Sequence, residues 1–262
     1  MDLRLIGRHA LVCGASQGIG RATAFELAQL GASVTLLSRS ADALKALAAE
    51  LPATHAGQQH DHVTADMLDT DALAAVVAGV VKDHAVHIVV NNSGGPPGGP
   101  LWNAEPNAFL NVFRQHLVAA QVVTSACLPG MRHAHYGRVL NVISTSVKEP
   151  IPNLGVSNTI RAAVAGWAKS LSGEVAADGI TVNNVLPGYT RTDRLESLVE
   201  ASVKSGRTRD EVERGLLASV PAARFGDPAE VAALLAFLAS PAAGYINGTS
   251  IAVDGGRTRS LN

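Results

Sequence analysis

Aromatic side chains are scarce in this chain of 262 residues: phenylalanine, tyrosine and tryptophan together make up 4%. Cysteine is scarcer still. Cys13 and Cys127 lie far apart inside apolar segments, which excludes a disulfide framework and leaves reduced core thiols as the expectation. Neither sign of charge dominates. With 21 Lys and Arg against 22 Asp and Glu, the formal net charge is -1, and no basic surplus calls for nucleic acid or an anionic membrane as a partner. Long apolar runs are missing as well: "VAALLAFLA" (Val231 to Ala239) is too short to span a bilayer. The opening "MDLRLIGRHALVCG" has no charged-then-apolar signal pattern. A soluble, cytoplasmic protein is expected.

What is present is a chain that is 47% apolar and rich in Ala, Val and Leu, long enough to bury one large core. Short β-branched runs alternate with amphipathic stretches. The strands are expected in "HALVCGAS", "ASVTLLSR", "HDHVTAD", "VHIVVNNSG", "GRVLNVIS", "ITVNNVLPG" and "SIAVDGG". Helices are expected at 18–30, 41–51, 69–83, 106–133 and 153–177, followed by a polar helical region and a last helix. This alternation predicts an α/β fold: a doubly wound, seven-stranded parallel sheet in three α/β/α layers, one domain over 1–262. Two segments break the rhythm. "SGGPPGGPLWNAEP" (Ser93 to Pro106) and residues 189–225 both leave the carboxyl end of a strand, where ligands bind in such sheets. The second is longer than its connection needs and reads as a substrate lid.

"CGASQGIG" (Cys13 to Gly20) closes the first strand and opens the first helix. Gly14 allows the tight turn, Gly18 a backbone approach to a pyrophosphate, and Gly20 close helix packing. With Ser16, Gln17 and Ile19 they form a dinucleotide phosphate loop at a helix N-terminus. At the end of the second strand, "LLSRS" places Ser38 and Arg39 where NAD sites carry an acid. A guanidinium beside a hydroxyl suits a 2′-phosphate, so NADP (NADPH) is favoured over NAD. The histidines His55, His60, His62, His84, His87, His133 and His135 show no ligand spacing on one element, and no metal is expected.

Over nearly its whole length the chain resembles the short-chain dehydrogenase/reductases, with a flavour similar to their 3-oxoacyl-(acyl-carrier-protein) reductase-like branch. The resemblance rests on "GASQGIG", Ala65–Asp66, "NNSGG", "GRVLNVIS", "DGITVNNVLPG", "RFGDPAEVAALLAFLAS" and "GYINGTSIAVDGG". It implies the Rossmann-type sheet, commonly a homotetramer, and an oxidoreductase acting on a small-molecule carbonyl or acyl-thioester substrate. It implies that Asp66, with Met67 beside it, meets the adenine. Asn91, Asn92 and Gly94 would line the adenosine side, and Pro187, Gly188 and Thr192 would hold the nicotinamide carboxamide.

The family's working set is Asn, Ser, Tyr and Lys. Counting from "AAVAG" puts the Tyr place at Ser157 and the Lys place at Arg161. Thirteen residues before Ser157 the serine is present as Ser144, and His116 falls in the Asn place. Ser157 and Arg161 share a helix face. Serine is a far weaker acid than tyrosine, whose reference pKa is about 10, and arginine ordinarily stays protonated. Candidates for a replacement acid are His116, by way of a water and a serine hydroxyl, and Lys148, four residues past Ser144. Each also has a bland reading, a backbone-bonded imidazole and a lysine paired with Glu149. Tyr189, right after "LPG", lies near the same pocket, in a place that usually serves packing. Three activities stay open: an NADP-dependent carbonyl reductase with an atypical proton donor, an NADP-binding pseudoenzyme or regulatory subunit, and a cofactor-free lyase like the halohydrin dehalogenases.

Overall fold

In the computed structural model, which describes residues 1–261, strands and helices alternate as the periodicity predicts. The strands are β1 (His9–Cys13), β2 (Ser33–Ser38), β3 (His60–Thr64), β4 (Ile88–Asn91), β5 (Gly137–Val142), β6 (Ile180–Pro187) and β7 (Ser250–Val253). The helices are α1 (Gly18–Gln29), α2 (Ala41–Glu50), α3 (Thr70–Asp83), α4 (Pro106–Phe113), α5 (Ala119–His133), α6 (Gly155–Val175), α7 (Asp193–Lys204), α8 (Arg209–Leu217) and α9 (Pro228–Ala239). All seven strands pair in parallel in the order β3-β2-β1-β4-β5-β6-β7. The strand order reverses between β1 and β4, and the crevice opens there, above the carboxyl ends.

Apolar side chains alternate between the two sheet faces, as the strand period of two requires. Ala10 and Val12 of β1 join a core with Leu27 of α1 and Leu235 of α9, while Leu11 and Cys13 join Leu73 of α3, Val123 of α5 and Ala168 of α6. Each fully buried large apolar side chain contributes roughly 1.5–3 kcal/mol. Caps fix helix starts: Asp69 accepts from Ala72 N, and Asp227 and Glu230 form a capping box behind Pro228. One stretch departs from the expected single helix over 106–133. Residues 114–118 form a π turn between α4 and α5, which re-aims His116.

A row of polar side chains crosses the sheet interior. Asn91, Asn141, Asn184 and Ser250 are register partners on β4, β5, β6 and β7. Asn91 Nδ2 donates to Asn141 Oδ1, Asn141 Nδ2 to Asn184 Oδ1, and Asn184 Nδ2 to Ser250 Oγ, at 2.9, 2.9 and 3.0 Å. Their amide groups thus serve one another within a buried sheet, apart from Asn91 Oδ1 at the row's end, which has no partner.

At the opposite end of the sheet from the crevice, histidines cluster. His9 lies 2.7 Å from Thr35 Oγ1 and stacks on His84, and its backbone N–H donates to His87 Nδ1. Burial, reinforced by His84 and His87, pushes His9 down to about 4. His60 and His87 shift down as well, chiefly through burial. A folded-state pKa below the unfolded value near 6.5 means that protons bind the unfolded chain first as pH falls. His9 alone therefore removes about 3 kcal/mol of stability between pH 6.5 and 4. Urea unfolding at stepped pH measures this, and His9→Gln flattens the slope; an unchanged slope in that variant overturns the assignment.

Candidate active site

The crevice has a volume of about 450 Å³ and runs from the loop after β1 to the ends of β5 and β6. At its first end, Gly14 and Gly18 have φ of +60° and +56°. A Cβ on Gly14 would stand 2.7 Å from the Asn92 amide, and one on Gly20 would run into the Gly14 carbonyl. Asn92 Nδ2 clamps this loop by donating to the carbonyls of Cys13 and Gly14, at 3.3 and 3.2 Å. The α1 N-terminus carries no side-chain cap and no acid in its first turn, so its N–H groups and positive dipole end face the crevice. Ser16, Gln17, Gly18 and Ile19 line it. These residues fit a dinucleotide pyrophosphate.

At the adenosine end, Ser38, Arg39, Asp66 and Met67 line the crevice. Asp66 Oδ1 accepts from Leu68 N at 2.9 Å, and its Oδ2 stands 3.8 Å from Arg39 Nη1. The Arg39 side chain is 78% exposed and free to swing onto a phosphate. Asn92 and Gly94 line the crevice but Asn91 does not: it is the first member of the buried amide row, and it donates to Thr124 besides. Its expected place on the adenosine side is corrected accordingly.

The far end is built from β5, α6 and the loop after β6. Ser144 and Ser157 both line the crevice with Arg161, Pro187, Gly188 and Thr192. Arg161 Nε donates to Ser157 Oγ at 3.3 Å, while its Nη1 donates to the carbonyls of Ile143 and Val142, at 2.9 and 3.2 Å. Ser144 Oγ accepts from Ser146 N at 3.1 Å. Each serine oxygen is thus already an acceptor, which leaves its O–H free to donate. Burial, and then the neighbouring Arg194, pull the Arg161 guanidinium down to about 10. Thr192 spends its hydroxyl locally, donating to Thr190 O and capping α7 at Leu195 N.

Neither replacement acid reaches the crevice. His116 is buried in the π turn, with Nδ1 2.9 Å from Ser93 Oγ and Nε2 unpartnered. Burial, then Arg161, push it down to about 3, so at working pH it is neutral and has no imidazolium proton to give. Lys148 ends the short turn after Ser144 and does not line the crevice. The carboxylate expected to pair with it, Glu149, instead accepts from Arg259 N at 2.6 Å. Among the described residues no group of three or more His, Cys, Asp or Glu side chains could hold a metal ion.

The crevice also holds residues without a sequence signal of their own: Thr145, Arg194 and Arg257 join Tyr189 there. Of the region read as a lid, Tyr189, Thr190, residues 192–195 and Leu198 line the crevice and α8 does not. Arg194 reaches across to donate to the Pro96 carbonyl at 2.5 Å.

A loop that only glycine can form, an uncapped helix end and a serine pair at the ends of parallel strands define a nucleotide-dependent oxidoreductase of the doubly wound class. The family model described as enoyl-(acyl carrier protein) reductase matches residues 14–258, and the chain belongs to the short-chain dehydrogenase/reductase family. It is 34% identical to 3-oxoacyl-(acyl-carrier-protein) reductase of Haemophilus influenzae over 253 residues, 95% of this chain and 98% of that one. It is similar to the crystal structure of YwfH, an NADPH-dependent reductase involved in bacilysin biosynthesis, with TM-score 0.91, 31% identity and coverage of 97% and 99% of the two chains. L-Sorbose reductase from Gluconobacter frateurii, complexed with NADPH and L-sorbose, superposes with TM-score 0.91 at 29% identity over 100% of both chains. No helix among the described residues is long and apolar enough to cross a membrane.

Proposed function

We propose that the protein is an NADP-dependent reductase of carbonyl compounds whose proton donor is a serine set against an arginine. The observation that carries this is the pair of donors at the crevice's far end, Ser144 and Ser157, each with its oxygen already accepting and its proton free. A nicotinamide held in the crevice would supply hydride for a carbonyl carbon. As charge develops on the carbonyl oxygen, both hydroxyls donate to it, and the Arg161 cation behind Ser157 stabilises it. The Ser157 Oγ proton passes to the product oxygen, and the serine oxygen, held by Arg161 Nε, takes a proton back from solvent. Arg39 and the α1 N-terminus hold the anionic groups of the cofactor. Arg194 and Leu198, in the first part of the segment 189–225 read as a lid, line the crevice, which supports that reading there. The homotetramer is part of this reading, supported by the exposed apolar side chains Trp102, Leu110 and Phe113 around α4.

The test is loss of near-ultraviolet NADPH absorbance with acetoacetyl thioester and a panel of small ketones. Turnover is expected, with kcat flat through neutrality, because neither serine hydroxyl nor the Arg161 guanidinium changes charge there. NADPH binding without turnover on every substrate overturns the reading, and an inflection near 6.5 would return the acid's role to a histidine.

A further inference from the structure

Three arginines in the crevice have no carboxylate partner. Arg161, Arg194 and Arg257 make no ion pair among the described residues, whereas Arg4, Arg21, Arg39, Arg132, Arg209 and Arg224 each stand against a carboxylate. Two of them stand close together: a Cβ on Gly95 would lie 3.4 Å from Arg194 Nε and 3.6 Å from Arg161 Nη2. Cations gathered in a half-buried crevice without a counter-charge are costly unless an anionic ligand completes them.

Arg257 is the most deliberately placed. It comes from the tail after β7, where Gly255 and Gly256 take left-handed φ of +63° and +85° to turn the chain back. Asp254 fixes that turn by accepting from Gly256 N and Thr258 N, at 3.0 and 2.7 Å, so its carboxylate is occupied. Glu149 holds the next residue through Arg259 N, and its carboxylate is occupied as well. The Arg257 guanidinium lies 5.1 Å over the Tyr189 ring, and its Nη1 donates to Thr145 Oγ1 at 3.3 Å. Its Nε is buried with no acceptor. A guanidinium that lines a crevice without a carboxylate partner is a ready donor to a carboxylate ligand.

The cofactor's phosphates do not account for this cation. The phosphate loop follows β1, whereas Thr145 and Tyr189 follow β5 and β6, two and three strands further along the sheet. At about 4.8 Å per strand that is on the order of 10–14 Å. Thr145 is, however, next to Ser144, one of the two donors at the reacting carbonyl. We infer that Arg257 is a specificity residue for a carboxylate, and that the substrates are short 2- or 3-oxo acids and their hydroxy acids rather than neutral ketones or thioesters. The inference rests on the reductase reading and names the substrate class of that site.

The experiment compares pyruvate, 2-oxobutanoate and acetoacetate with their methyl esters at saturating NADPH, in the parent protein, Arg257→Gln and Arg257→Lys. NADPH affinity is titrated separately in each. Expected is a preference for the acid of tenfold or more in kcat/KM. Arg257→Gln should abolish that preference through the KM of the acids, with the esters affected far less, and Arg257→Lys should retain part of it. Esters reduced as well as acids, with no effect of Arg257→Gln, overturn the inference and leave the reductase reading standing. Should no compound turn over, calorimetric titration of the NADP-loaded protein with acetoacetate and with inorganic phosphate decides. Acetoacetate binding lost in Arg257→Gln supports the inference even without turnover. No acetoacetate binding, or phosphate binding the more tightly, overturns it. Failure to bind NADPH at all instead overturns the reductase reading.

Discussion

Ser157→Ala lowers kcat by roughly 10²–10³-fold, the usual cost of one lost donor to a developing oxyanion, and leaves NADPH affinity unchanged. The reason lies in what stands behind the hydroxyl. Arg161 Nε donates to Ser157 Oγ, so the serine presents its own proton to the crevice and relays the guanidinium's charge. Alanine removes both the donor and the relay. Ser144→Ala removes a donor without touching the cation and costs less. Ser157→Tyr puts the family's usual acid at a position that lines the crevice. Steady-state kinetics with separate NADPH titration measure all three. A Ser157→Ala enzyme with parental kcat would move the proton donor elsewhere.

Gly20→Ala abolishes cofactor binding, with a loss of 100-fold or more in NADPH affinity. Its Cβ would occupy the position of the Gly14 carbonyl oxygen and press on Asn92 Nδ2 at 2.9 Å, the group that clamps the phosphate loop to β4. The turn cannot yield locally, because Gly14 already sits at a φ of +60° against the Asn92 backbone. Overpacking of this kind costs about 1–3 kcal/mol, and here it falls on the loop that must meet the pyrophosphate. Fluorescence titration with NADPH reads the effect. Parental affinity in Gly20→Ala would mean that the loop does not hold the phosphates.

The two ends of the crevice differ in how far they could be read from sequence. The phosphate loop is local: its glycines, strand and helix are consecutive, so spacing alone predicts Gly14, Gly18 and Gly20 where the structure has them. Strand alternation likewise predicts every sheet element, because burial on both faces imposes it. The proton-handling end is assembled from Ser144, Ser157, Tyr189 and Arg257, which are joined only by tertiary packing. His116 falls in the Asn place only if residues 106–133 form one uniform helix, and the sequence carries no sign of the π turn. Nor does it carry the burial that holds the imidazole neutral. Lys148 is close to Ser144 in sequence, a proximity that a tight turn after a strand does not preserve. Asn91 belongs to a motif whose two asparagines look alike in sequence. The strand's period of two sends one into the sheet and the other to the loop. Arg257, near the chain end after a pair of glycines, carries no periodic or motif signal.

The buried amide row has a meaning for the catalytic end as well. A sheet of plain Val and Leu could slide by two residues and keep its apolar faces; a strand bearing one asparagine in a fixed row cannot, since any slip strands an amide among hydrocarbon. Asn141 stands three residues before Ser144, and Asn184 three before Pro187. The row therefore acts as a vernier, setting how far β5 and β6 project and so the height at which the serine, the carbonyls that hold Arg161, and Tyr189 meet.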